Sequence, residues 1–69
     1  MTQKELLYIE DAIGHEKNII AICTDTLERL EDENLISFLK NELEVHKKTK
    51  ENLLNELEVK ANEWPSTFG

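Results

Sequence analysis

The chain has 69 residues, enough for one small domain, and its 2 glycines, 1 proline and 1 cysteine exclude a collagen, a Pro/Gly-rich disordered chain and a disulfide-stabilised miniprotein. Its 15 acidic and 8 basic residues give a net charge of -7, which repels phosphates, so nucleic acid is not an expected partner. With 33% charged and 39% hydrophobic residues, the composition is typical of a helical chain.

The first helix is predicted over residues 3 to about 31. Thr2 and Glu5 have the spacing of a capping box, in which the Thr2 hydroxyl and the Glu5 carboxylate accept hydrogen bonds from backbone N–H groups at the start of a helix. Apolar residues then recur at intervals of three, four and seven: Leu6, Ile9, Ile13, Ile20, Cys23, Leu27 and Leu30. This spacing places them on one face of an amphipathic helix.

The turn is predicted at about 32–34, followed by a second helix over about 34–62. The polar residues before this helix include two candidate N-caps, Asp32 and Asn34. The apolar face of the second helix is predicted to contain Leu35, Leu39, Leu43, His46, Leu53, Leu57, Ala61 and Trp64, widened by Ile36 and Leu54. Pro65 lacks a backbone donor and disfavours helical geometry before it, so residues 65–69 are predicted to form a flexible tail.

Two long helices joined by a short turn predict an all-α fold, an antiparallel two-helix hairpin over residues 1–64. A single hairpin is expected to leave five apolar side chains partly in water: Tyr8, Ile19, Ile22, Phe38 and Val45. A homodimer related by a two-fold axis would bury them in a four-helix bundle. A hetero-oligomer with a different helical hairpin is the alternative.

No segment of the sequence is apolar enough for a membrane protein. The longest uninterrupted apolar run is Ile19 to Cys23, whereas a membrane-spanning helix needs about 20 apolar residues. The N-terminal residues also lack the basic region and apolar block of a signal peptide. We therefore expect a cytoplasmic protein with no membrane partner.

Polar side chains interrupt both apolar faces near the middle of the helices. The spacing of Leu6, Ile9 and Ile13 continues to Glu16, and His46 lies at the centre of the second face. A turn centred between residues 32 and 33 places Glu16 opposite Thr49 and within one turn of His46. These side chains are therefore expected to meet.

The polar centre has two interpretations. In the first, Glu16 pairs with His46 or Lys50 and fixes the register of the helices without a metal. In the second, Glu16, Glu42 and His46 are ligands of iron or another divalent metal, gathered from two copies at the middle of the bundle. The Glu-x-x-His spacing of di-iron bundles is absent, because Leu43 stands three residues before His46 and Glu42 stands four before it.

Four parts of the sequence together resemble a known family. They are the opening segment Lys4 to Asp11, Glu16-Lys17, the central His46 and Leu53-Leu54. In these positions, most of residues 3–57 are similar to small ferritin-like proteins of spore-forming bacteria related to spore coat protein F. The resemblance implies a ferritin-like hairpin that dimerises into a four-helix bundle and acts in the spore coat or the sporulating cell. It also matches Glu16 and His46 to the helix-one glutamate and helix-two histidine of ferritin-like proteins, with Leu43 in place of the accompanying glutamate.

The sequence contains no pattern of an ordinary active site. It has no Gly-rich phosphate loop, no Cys-x-x-Cys pair and no arguable Ser-His-Asp arrangement. The leading prediction is a non-enzymatic structural or interaction protein, a homodimer without a cofactor that contacts other coat or helical-hairpin proteins. The alternative is a metal-binding, ferritin-like bundle protein of the iron type.

Overall fold

A computed structural model describes residues 2–62, with only the backbone at Asn62. Helix α1 spans Gln3–Leu27 and helix α2 spans Glu33–Asn62. Residues 2–62 contain no strand, so the predicted all-helical class is confirmed over this range. Three predictions lie outside the described residues: Trp64 on the apolar face, the stop of the second helix before Pro65, and the flexible tail at 65–69.

Helix α1 begins with the predicted capping box. The Glu5 N–H donates to Thr2 Oγ1 at 3.0 Å, and the Thr2 N–H donates to Glu5 Oε1 at 2.9 Å. These two bonds satisfy backbone donors that have no partner within the helix. Local chemistry in the sequence was therefore sufficient to predict this helix start.

The end of α1 differs from the prediction. The helix ends at Leu27 instead of about residue 31, because the chain tightens into bonds from the Glu28 N–H to the Asp25 carbonyl and from the Arg29 N–H to the Thr26 carbonyl. Leu30 keeps the apolar spacing and is half-buried, yet it lies in the connection between the helices. Apolar spacing therefore extended the predicted helix past its true end.

Helix α2 is capped by Asp32, one of the two predicted candidates. Its Oδ1 accepts a hydrogen bond from the Leu35 N–H at 3.0 Å, and its carbonyl accepts one from the Ile36 N–H at 3.0 Å. Asn34, the other candidate, lies inside the helix. Glu33 in the first turn and Lys60 in the last turn also suit the helix dipole.

The helices lie side by side and antiparallel in a rod of 54 × 15 × 14 Å. Between them run two contact lines, rows of buried or half-buried residues repeated at intervals of three and four. The contact line of α1 is Leu6, Ile9, Ile13, Glu16, Ile20, Cys23 and Leu27. The contact line of α2 is Ile36, Leu39, Leu43, His46, Lys50, Leu53, Leu57 and Lys60. The predicted hairpin is thus observed over the described residues.

The contact line of α2 corrects the predicted face at both ends. Leu35 and Ala61 were predicted to lie on the apolar face but are exposed, whereas Ile36 and Lys60 are half-buried. Adjacent residues of a helix point about 100° apart, so the packing partner determines which of two neighbours is covered. Lys50 fits on the line because a lysine can cover its aliphatic stem and keep its ammonium in water.

Few side chains are deeply covered in this hairpin. Among the described residues, the buried apolar core consists of Ile13, Cys23 and Leu43. Gly14 is exposed within α1, and a Cβ added there would meet no heavy atom within 4 Å. Neither helix in the described range combines the length and apolar character required to cross a membrane.

Candidate functional site

Glu16 and His46 meet across the helix pair near the middle of the rod. Their Oε2 and Nδ1 atoms are 2.6 Å apart, and the Glu16 side chain is 16% exposed against 26% for His46. In a bond of this kind a carboxylate oxygen accepts and a protonated Nδ1 donates. This contact confirms that the two predicted residues meet. Within the described part of the chain, Lys50 forms no ion pair with Glu16.

The predicted register is wrong by about one turn. Thr49 does not face Glu16 as a partner; its hydroxyl donates to the Val45 carbonyl of its own helix at 3.0 Å. The connection begins after Leu27 and ends before Glu33, so it is centred earlier than the predicted turn. An earlier centre moves His46 into the place opposite Glu16.

Glu42 approaches the same imidazole from its other side. Its Oε2 lies 3.9 Å from His46 Nε2, and its side chain is 44% exposed. This distance is within the range of an ion pair but too long for a hydrogen bond. The three predicted site residues, Glu16, His46 and Glu42, therefore form a short polar row from the helix interface toward solvent, here called the polar centre.

Within one hairpin, the side chains of the polar centre do not converge on a single point. Glu16 faces Nδ1 of His46 and Glu42 faces Nε2, and the two nitrogens of an imidazole point in different directions. One cation therefore cannot contact the ring and both carboxylates in this conformation. In residues 2–62 no group of three or more His, Cys, Asp and Glu side chains is placed to hold a metal ion. The described residues also enclose no pocket.

A second candidate feature is apolar. Eight large apolar side chains of the described residues are between 42% and 64% exposed: Leu7, Tyr8, Ile22, Leu35, Phe38, Val45, Leu54 and Val59. Four of the five residues expected to be partly in water are among them, and the fifth, Ile19, is half-buried. The expectation that one hairpin cannot cover its apolar residues is confirmed for these residues.

Six of the eight exposed residues share one position relative to the contact lines. Each of them comes immediately before a contact residue, and so does Ile19. Residues one position apart from a contact line form a parallel row along its flank. We call this set the apolar flank, and its members are Tyr8, Ile19, Ile22, Leu35, Phe38, Val45 and Val59.

The flanks of α1 and α2 lie on the same broad face of the rod. Two antiparallel helices are exchanged by a two-fold rotation about an axis perpendicular to the plane that contains both of them. This rotation does not exchange the two sides of the plane. The row that precedes the contact line therefore lies on the same side of the plane in both helices. The burial of single residues agrees with this geometry. Ala12 and Ile19 on α1 and Thr49 on α2 each precede a contact residue, and all three are half-buried. The residues that follow the contact lines, such as Lys17 and Lys47, are exposed.

The spacing of apolar residues in the sequence also predicts this exposed face, although no single residue indicates it. Shifting the contact pattern by one residue gives a second series at intervals of three and four on each helix. On α1 this series includes Tyr8, Ile19 and Ile22. On α2 it includes Leu35, which had been assigned to the covered face, and Val59, which had not been singled out.

Comparison with known proteins yielded no relative of this chain. No family model matches the sequence, and no curated protein or solved structure matches it either. Its function is therefore inferred from the polar centre and the apolar flank.

Proposed function

We propose that the chain is a non-enzymatic structural protein whose hairpin self-associates through the apolar flank into a homodimeric four-helix bundle. The observation that carries this proposal is the placement of six of the eight exposed large apolar side chains in one flank. Large apolar side chains that are exposed on one face mark interaction sites on soluble proteins. A two-fold pairing of identical flanks is the simplest way to cover it.

The size of the face supports a dimer. The rod is 15 Å wide, and a helix as long as α1 extends about 37 Å. A face of these dimensions covers on the order of 600 Å² per copy, which is near the lower limit for specific, stable interfaces. Covering it would supply the apolar burial that Ile13, Cys23 and Leu43 provide only sparingly within one hairpin.

In this function the polar centre sets the register of the hairpin. The 2.6 Å contact between Glu16 and His46 is possible only when α1 and α2 are aligned at this height. A polar pair within an apolar interface is known to specify register in helical assemblies.

The place of assembly is proposed from the resemblance alone. The resemblance of most of residues 3–57 to relatives of spore coat protein F supports a ferritin-like bundle in the cytoplasm of the sporulating cell or in the spore coat. Other coat or helical-hairpin proteins are then the expected partners. A fluorescent fusion should localise to the forming spore, and uniform fluorescence throughout sporulation would contradict this placement.

Sedimentation equilibrium tests the proposed self-association directly. The chain has a mass of 8.0 kDa, so a dimer should sediment at about 16 kDa at micromolar concentration. A helical species of monomer mass under these conditions would refute the proposal.

A further inference from the structure

We infer that Glu42 makes the apolar flank selective: it weakens the pairing of two identical copies and favours a helical partner that presents a lysine or arginine to it. This inference rests on the proposed function and deepens it, because it names the chemistry of the helical partners. It holds for either orientation of a second copy on the flank.

Glu42 stands in the same row of α2 as the residues of the apolar flank. It immediately precedes the contact residue Leu43, just as Phe38 and Val45 immediately precede contact residues. Phe38 lies one turn before Glu42 and Val45 lies one turn after it, and both are exposed. A second copy that covers these two side chains therefore also covers the carboxylate between them.

The hairpin itself neutralises Glu42 only in part. Its Oε2 atom is 3.9 Å from His46 Nε2, beyond hydrogen-bond distance, and its side chain is 44% exposed. Among the described residues, neither a lysine nor an arginine lies within ion-pair distance of it. Water therefore solvates much of this carboxylate in the single hairpin, and covering the flank removes that water.

The flank of a second identical copy offers no strong cation. The row that precedes the contact lines has four charged or titratable members, Glu5, His15, Glu42 and Glu56. Between residues 3 and 62, neither lysine nor arginine stands in this row. Two copies that cover each other's flanks therefore bring carboxylates to the interface without an ammonium or guanidinium group to pair with them.

If both connections lie at the same end of the dimer, Glu42 faces Ile19 of the second copy. The two residues lie at nearly the same height, because Ile19 is three residues from Glu16 and Glu42 is four residues from His46, both toward the connection. An aliphatic side chain cannot replace the hydrogen bonds of the displaced water. The imidazole of His15 lies about 8 Å from Glu42 along the rod.

If the connections lie at opposite ends, Glu42 faces Asn52 of the second copy. The two residues are about equally far from the middle of α2, one on each side of it. A side-chain amide can donate a hydrogen bond, but it carries no charge. Each orientation therefore leaves Glu42 without a lysine or arginine from the second copy.

A helical partner with a lysine or arginine at this place fits the flank better than a second copy does. Its apolar side chains would cover Ile22 and Phe38, while its cation would pair with Glu42 and replace the lost hydration. A charge that is unpaired in one complex and paired in another discriminates between otherwise similar helical partners. The net charge of -7 also favours a basic partner.

Sedimentation equilibrium of Glu42→Gln tests how far Glu42 weakens the dimer. At pH 8, where imidazoles are largely neutral, this variant should dimerise about tenfold more tightly than the wild type, because it removes a covered charge. Glu51→Gln is the control, since it removes the same charge from an exposed position on the opposite face and should have little effect. A dimer of Glu42→Gln no tighter than that of the wild type would overturn the inference.

Lysine substitutions test the chemistry of the partner. Ile19→Lys and Asn52→Lys supply an ammonium group at the two places that can face Glu42, and Ile19→Gln and Asn52→Gln are their uncharged counterparts. One of the lysine variants should dimerise about tenfold more tightly than its glutamine counterpart. Adding Glu42→Gln should remove most of this gain. A gain that persists with Glu42→Gln, or no gain in either variant, would overturn the inference.

The behaviour of the wild type separates the two proposals. A wild-type chain that stays monomeric would refute the proposed self-association. Selectivity would survive that result only if Glu42→Gln or a lysine variant dimerises, and it would be refuted if these variants are monomeric as well. A wild-type dimer that Glu42→Gln does not tighten would refute the selectivity alone.

Discussion

Glu16 Oε2 and His46 Nδ1 are 2.6 Å apart, and they join α1 to α2 at a height where the neighbouring contact residues Ile13 and Leu43 are buried and apolar. A polar pair in such surroundings is sensitive to the loss of one partner, because the remaining group keeps its desolvation cost without its hydrogen bond. The single and the double replacement of this pair should therefore have different effects on stability.

Glu16→Ala should lower the free energy of unfolding by about 1–2 kcal/mol, because it removes the hydrogen bond of the half-buried His46. The double variant Glu16→Leu/His46→Leu should be as stable as the wild type or more stable, since it removes both desolvation costs. Urea unfolding at a fixed chain concentration measures both effects. Glu10→Ala, at an exposed site, is the control and should change little. A strongly destabilised double variant would contradict the register role.

Chelator and divalent cations should leave the melting temperature of the wild type unchanged. The reason is that Glu16 and Glu42 face different nitrogens of His46 and do not converge on one position. Thermal melts with a chelator and with ferrous, manganese or zinc ions measure this. Stabilisation that grows with cation concentration, and that the Glu16→Leu/His46→Leu variant loses, would instead support the metal-binding alternative.

Ile22→Glu should convert the dimer to a monomer, because it places a carboxylate among the apolar residues of the flank. Leu7→Glu is the matched control, since Leu7 is exposed to a similar degree, 59% against 64%, but lies outside the flank. Sedimentation equilibrium should give about half the wild-type mass for the first variant and an unchanged mass for the second. Dissociation by Leu7→Glu alone would place the interface elsewhere.

Acid should loosen the first turn of α1. The Thr2 backbone N–H, and then the Thr2 hydroxyl, lower the pKa of Glu5 below its ordinary value of 4.5. The contribution of this carboxylate to the helix start is therefore complete above pH 4.5 and is lost as the pH falls through the lowered pKa. NMR titration of the Glu5 and Leu6 amides should detect this transition. Glu5→Gln, which cannot ionise, should abolish it, and an identical titration in that variant would contradict the assignment.

Gly14→Ala should raise the free energy of unfolding by about 1 kcal/mol, because alanine restricts the unfolded chain and suits a helix better than glycine. The added methyl group meets no heavy atom within 4 Å, so no clash offsets the gain. Ala21→Gly is the reverse change at another exposed position of α1. It should destabilise by a similar amount. Destabilisation by Gly14→Ala would show that the glycine has a specific role.

Features that depend on neighbouring residues in the chain could be predicted from the sequence. The Thr2 and Glu5 capping box and the Asp32 cap each involve groups within three residues of each other, so tertiary packing has little influence on them. The polar centre was also predictable, since Glu16 and His46 interrupt otherwise apolar faces. Each of these predictions required only local geometry or the helical period.

Features that depend on how the helices pack could not be predicted to the residue. Leu30 continues the apolar spacing although α1 has already ended, so the period alone cannot locate the end of the helix. Leu35 and Ile36 are adjacent and both apolar, and only contact with α1 determines that Leu35 is the exposed one. The early end of α1 also shifts the turn, which places His46 instead of Thr49 opposite Glu16.

The burial of Cys23 allows the local opening of the hairpin to be measured from the reactivity of its thiol. The thiol is free, and Cys23 is only 7% exposed on the contact line of α1. A thiol-reactive reagent can reach the sulfur only after the helices separate locally. When closing is faster than the chemical reaction, the modification rate measures the equilibrium population of the open form. This is the only cysteine in the sequence. The kinetics of its modification therefore report the local opening of the helix pair in the wild-type chain.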